Sequence, residues 1–173
     1  MNIYMVDTNP KVVAQCVPDD VWERRLFDAV ELVSEGASHW EGEESMFICH
    51  DIGHAWVSWV NDSKENWTWS LAYLHYLVIE LAVRGKKIDE RIVSFADYIC
   101  ESYGALESTA SPPPRCVPQI FKDEKNSINN ATLAYRRFII ATIRLHSMGT
   151  AEPDWLKSDL EPLSNNDIQS SLV

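Results

Sequence analysis

Between Asp19 and Glu31 the chain reads D-D-V-W-E-R-R-L-F-D-A-V-E, which sets Glu23, Arg24, Asp28 and Glu31 three to five positions apart. On a helix several of these reach one side, where acids and bases couple. A carboxylate in such a group can handle protons or stabilise a cation, and an arginine beside it can hold phosphate. Glu23, Arg24, Arg25 and Asp28 are the candidates this stretch offers for such work, with Arg24 and Asp28 as ligand-binding ones. The same pattern also fits a surface face laced with ion pairs, which would do no chemistry at all.

His50-Asp51-x-x-His54 is a second group. Histidines four apart can share a metal on one helix, with Asp51 supplying oxygen. Gly53 opposes a regular helix through them and there is no H-E-x-x-H, so a hydrogen-bonded histidine is the preferred reading. No metal and no cofactor is assigned, and His54 stays as a ligand-binding candidate. The aromatic set Trp56, Trp59, Trp67, Trp69, Tyr73 and Tyr76 is a third group. Such rings can stack a base or build a small core, and Trp59 is the indole expected to stack. The densest basic group is Arg136, Arg137 and Arg144, of which Arg136 and Arg137 are expected to greet a phosphate.

These residues need a frame, and the stretch 50–87 supplies its centre, with four of the seven tryptophans. Trp67, Leu71, Leu74, Val78 and Leu81 recur at the spacing of one helix face, and Trp69, Tyr73, Tyr76 and Leu77 fill most of the rest. The spacing predicts a central helix packed on several sides, opened by Asp62 or Ser63 and stopped at Gly85. Before it, Thr8 or Asn9 with Pro10 starts a short helix that ends ahead of Pro18. Asp19 or Asp20 caps a second helix over 21–34, ended by Gly36, with Trp22, Leu26, Ala29, Val30 and Val33 inward and Glu23, Arg24, Asp28 and Glu31 off that stripe.

A turn of helix is expected at 54–60, and a further helix over 89–103 turns Ile92, Phe95, Ala96 and Ile99 inward. Pro112, Pro113, Pro114 and Pro118 exclude helix or central strand over 108–118, and a last long helix runs over 131–146. Residues 1–7 allow a short strand or an extended arm. The fold class is all-α, a single helical domain over 1–163 of about five helices around an aromatic-rich one, followed by a loose acidic and polar tail over 164–173.

The net charge of −11 is unevenly placed: residues 1–60 carry −8, residues 61–150 carry +1 and residues 151–173 carry −4. Non-specific binding to duplex DNA comes from neutralising phosphates, so undamaged duplex DNA is disfavoured as a partner. Residues 1–11 hold no charged-then-apolar leader and no run suits a membrane span, so a cytoplasmic protein without a membrane partner is expected. Cys16, Cys49, Cys100 and Cys116 form no C-x-x-C pair and fit free thiols in a reducing compartment.

Taken together, E-R-R-L-F-D-A-V at 23–30, G-H at 53–54, R-G-x-x-I at 84–88 and P-x-W at 153–155 give a chain that resembles the pyrimidine-dimer DNA glycosylases of the bacteriophage endonuclease V type and related small phage proteins. The resemblance implies an all-α fold and cleavage of a pyrimidine N-glycosidic bond. It implies an amino-terminal α-amine as nucleophile, a glutamate that stabilises the imine, and arginines for phosphate. Here the glutamate position falls at or beside Glu23 and an arginine position at Arg25. Asn2 is large enough to retain Met1, which makes Met1 the reacting end.

Two readings follow. In one, the protein is an N-glycosylase-like enzyme for a damaged or modified pyrimidine in single-stranded DNA or in a free nucleotide. In the other, the same pocket only sequesters a nucleotide, or the acidic surface presses on a basic host protein as a phage counter-defence factor would.

Overall fold

The computed structural model describes residues 3–103 and 132–137 of the 173-residue chain. The helices, in chain order, are α1 (Pro10–Gln15), α2 (Trp22–Glu41), α3 (Ala55–Asp62), α4 (Lys64–Val83) and α5 (Glu90–Tyr103), and residues 132–137 are also helical. The all-α class read from the sequence is the observed one, and the described residues include no strand. Nor is any described helix long and apolar enough to cross a membrane.

The central helix is α4, and local chemistry sets both of its ends. Ser63 adopts extended backbone and its hydroxyl accepts from the Asn66 amide at 3.2 Å, a cap worth about 1 kcal/mol. At the other end Gly85 takes φ +70°, its amide donates to the Ala82 carbonyl and the Lys86 amide donates to the Leu81 carbonyl, both at 2.9 Å. This pair of bonds satisfies carbonyls that a helix otherwise leaves open. Between the ends α4 is apolar on nearly all sides and packs against α1, α2, α3 and α5.

Arginine 84 fastens the start of the chain to the end of α4. It donates to the carbonyls of Gln15 and Val17 at 2.6 Å each, and to the carboxylates of Glu80 at 2.9 Å and Asp19 at 3.2 Å. Two free carbonyls after α1 and two carboxylates thus share one planar donor, a geometry that a lysine could not reproduce. Asn9 caps α1 through the Lys11 amide at 2.9 Å, with Pro10 in the first turn as expected.

Three readings of the sequence are corrected. Residues 3–6 are no strand: the Met5 amide donates to Ile3 and the Val6 amide to Tyr4, two-residue turns that use up the groups a ladder needs. Ile3, Met5 and Val6 are nevertheless fully buried. The second correction concerns α2, which starts at Trp22 after Val21, without a side-chain cap from Asp19 or Asp20, and runs through Gly36 to Glu41, where Gly42 at φ +69° ends it. Gly36 is present for packing. A Cβ there would lie 2.2 Å from Cδ1 of Trp67, whose indole N–H donates to the Val33 carbonyl at 3.2 Å. Third, Asp28 is not off the inward stripe of α2 but buried in it, at 2% exposure.

The proline-rich stretch 108–118, the last helix beyond residue 137, Trp155, Cys116, the tail 164–173 and Met1 lie outside the described residues.

Candidate functional site

A carboxylate buried in the second turn of α2 is the starting point. Asp28 accepts from Nη1 of Arg25 at 2.6 Å and from Nε of Arg24 at 3.1 Å. Residues three and four apart on a helix face one another, which is why both arginines reach it. They are not equivalent: the Arg25 side chain is largely buried, whereas that of Arg24 is 70% exposed. Water screens the Arg24 pair to at most about 1 kcal/mol.

Arg25 also links the early helix to the aromatic core. Its guanidinium lies 4.6 Å from the centroid of the Tyr4 ring and Nη2 donates to the Tyr4 hydroxyl at 3.3 Å. From Tyr4 the contacts pass to Tyr135 at 6.2 Å between centroids, to Trp56 at 6.5 Å, and edge-on to Trp59 at 5.1 Å and Trp69 at 5.9 Å. Trp69 stacks on Tyr73 at 5.7 Å, and the Tyr73 hydroxyl lies in the electrostatic reach of Arg25 and Asp28. The contacts thus run from one buried ion pair through six aromatic rings of the core.

Two hydrogen-bond donors among these rings have no partner. Nε1 of Trp56 and the hydroxyl of Tyr73 are both buried and make no hydrogen bond. Burial pushes the Tyr73 phenol well above its usual range, so it keeps its proton and remains a donor. A buried donor left unmet costs about 1–3 kcal/mol, so each such group calls for a role that offsets the cost.

His54 borders these rings. It caps α3, with Nδ1 accepting from the Trp56 amide at 3.2 Å. Burial pushes its pKa down, against an opposing pull from Asp51 and Asp28, so the neutral ring that the cap requires is favoured. His54 is thus placed as a helix cap. Among the described residues no group of three His, Cys, Asp or Glu is arranged to hold a metal.

The structure brings together Arg25, Arg24, Asp28 and His54 of the residues singled out in the sequence. Glu23 does not join them. It is exposed in the first turn of α2, two positions from Arg25 and so on a different side of the helix. Trp59 is among these rings but buried edge-on between two indoles, with no face open to water. Arg136 donates to the Val6 carbonyl at 2.5 Å and to Asp7 at 2.9 Å, which ties residues 132–137 to the start of the chain; Arg137, its neighbour, is half-buried.

Tyr4 and Tyr135 were not singled out in the sequence; Trp56 and Tyr73 were, as rings, but without the polar atoms, Nε1 and the hydroxyl, that stand out here. A tyrosine such as Tyr73, in a helix apolar all round, could have been flagged, because its hydroxyl has no dry place to go without a partner. No protein-family model matches this chain, and neither does any curated protein or solved structure, so its chemistry rests on these side chains themselves.

Proposed function

We propose that this protein recognises a pyrimidine nucleotide through its base, in the manner of the phage proteins whose early helix it resembles. The observation that carries the reading is the pair of unmet donors, Trp56 Nε1 and the Tyr73 hydroxyl, in a cluster of aromatic side chains beside Asp28 and Arg25. A pyrimidine base is flat, presents aromatic faces for stacking, and carries acceptor atoms along its edge that two fixed donors can distinguish from a hydrocarbon. Arg24, Arg25 and Arg136 each hold one of the protein's own carboxylates, so the base rather than the phosphate is the principal handle.

Calorimetric titration with pyrimidine and purine nucleosides and nucleotides tests this. The expected result is saturable binding of pyrimidines with weak salt dependence. Trp56→Phe and Tyr73→Phe should each lower affinity by about 5- to 30-fold, for about 1–2 kcal/mol per lost hydrogen bond. Tyr73→Phe should leave folding stability unchanged or raised by about 1–3 kcal/mol, because the hydroxyl removed has no partner. Trp56→Phe also empties space in a fully buried site and should cost about 1–3 kcal/mol. Absence of pyrimidine binding, or binding that neither substitution weakens, overturns the reading.

A second reading has its own support. Asp28 is a buried carboxylate whose Arg24 partner is exposed. In an N-glycosylase-like reaction on a modified pyrimidine, the bond from the sugar to the base nitrogen breaks with its electron pair leaving on the base, and Asp28 would stabilise the cationic sugar. Water then adds to the sugar carbon and gives up a proton that the base takes. Release of free base from oligonucleotides containing modified pyrimidines, abolished by Asp28→Asn with binding retained, would support catalysis. Binding without release supports sequestration.

A further inference from the structure

The segment joining α2 to α3, residues 42–54, is laid back along the outer face of α2. Ser34 anchors it, accepting from the Phe47 amide at 3.0 Å and pairing with the Ser45 hydroxyl at 3.0 Å. Farther along, Cys49 lies in the electrostatic reach of Glu31 and Glu35, and His54 in that of Asp28, so the segment runs antiparallel to the helix. It is pinned at its start as well, where Glu43 accepts from the hydroxyls of Tyr98 and Tyr103.

Side chains alternate along this strip. Phe47 turns in against Phe95, with ring centroids 5.2 Å apart, and Cys49 is buried. Met46, Ile48 and Ile52 turn out, the last two at 72% and 70% exposure, and Phe27 is exposed on α2, the helix that the segment packs on. Large apolar side chains held outward by a fixed backbone are features of an interaction surface rather than of a solvated loop. Along the sequence here the charge is of one sign, flanked by Arg24 and Lys64, which pair with Asp28 and Glu41. From Leu26 to Ser63 the chain has eight Asp and Glu and no Lys or Arg.

We infer that Phe27, Met46, Ile48 and Ile52 form a docking strip for a cationic amphipathic segment of another protein, apolar anchors seated between them and Lys or Arg side chains meeting the surrounding carboxylates. A second copy of this chain is a poor occupant, because a two-fold contact through the strip sets its acidic groups against themselves. An anionic lipid surface is repelled for the same reason. The docking strip stands independently of nucleotide recognition.

Fluorescence anisotropy with a labelled helical peptide of Leu and Lys at amphipathic spacing provides the test, beside two controls in which Glu replaces Lys or Ser replaces Leu. Binding of the Leu/Lys peptide alone is expected. Ile48→Ser with Ile52→Ser should weaken it about tenfold or more, and Glu44→Gln with Asp51→Asn should weaken it and flatten its salt dependence. Ile79→Ser with Val83→Ser, also exposed but on α4, should leave it unchanged. All these side chains are on the surface, and circular dichroism confirms that the variants fold. Equal binding of the Ser-for-Leu control, or full binding by the Ile48/Ile52 variant, reduces the effect to diffuse charge and overturns the inference. So does no binding, or dimerisation of the protein that the Ile48/Ile52 variant abolishes.

Discussion

Gly36→Ala separates two opposed expectations by sign. On helix propensity alone, alanine in the interior of α2 should stabilise the protein by about 1 kcal/mol. The packing says otherwise. The new methyl would lie 2.2 Å from Cδ1 and 2.7 Å from Nε1 of Trp67, and 2.8 Å from Cγ1 of Val60. Carbon atoms in good contact sit about 3.5–4.0 Å apart, so the indole must retreat by more than about 1 Å. It has nowhere to go: Trp67 is fully buried, packs on Tyr103 at 5.3 Å, and is tethered by its hydrogen bond to Val33. Overpacking of this kind costs about 1–3 kcal/mol, and losing the buried hydrogen bond adds about 1–3 kcal/mol. After the propensity gain, a net loss of about 2–4 kcal/mol is expected. In urea, with a slope of about 2 kcal/mol/M, that lowers the midpoint by about 1–2 M at unchanged slope. A midpoint that stays put or rises would refute the close approach of α2 to α4.

Three further outcomes are expected. Asp28→Asn leaves the buried guanidinium of Arg25 without its countercharge and should cost about 3–5 kcal/mol by chemical denaturation, whereas Arg24→Ala, on the exposed side of the same carboxylate, should cost no more than about 1 kcal/mol. His54 has a folded-state pKa below its unfolded value of about 6.5, so the unfolded chain binds more protons there. Its contribution to stability is complete above the unfolded pKa and declines as pH falls through that value toward the folded pKa. His54→Asn, which caps without titrating, should remove that acid-side decline, and a persistent slope would assign it elsewhere. Arg84→Met removes charged hydrogen bonds to Gln15 and Val17 and should cost about 2–3 kcal/mol. Hydrogen exchange should then quicken in α1 before it quickens in α4.

Where one residue's local chemistry decided an outcome, the sequence was legible. Pro10 behind Asn9, Ser63 ahead of the aromatic run and Gly85 after Arg84 each act within one turn, and α1 and both ends of α4 follow from them. Gly36 was misread as a stop because glycine serves two purposes, left-handed backbone and close approach. Only the position of Trp67, 31 residues away, tells which one applies. Asp28 was misread for a related reason. An acid that repeats with other acids looks solvated until its partners are known, and burial here depends on Arg25 being covered by Tyr4 from the far end of a different segment. The set of aromatics was visible as a composition but not as a run of contacts. Its link to Arg25 needs Tyr4 and Tyr135, which stand 131 positions apart.

The way residues 3–8 are held bears on how the chain is made. Ile3, Met5 and Val6 are synthesised well before the donors that hold their segment, so its carbonyls wait for late-arriving partners. Thr8 accepts from the indole of Trp69, and Val6 accepts from Arg136. At about 5–20 residues per second, the 130 residues between Val6 and Arg136 take roughly 7–26 s to synthesise. For that interval the segment is a greasy stretch without its clasp, open to capture by a chaperone, and residues made early are secured late.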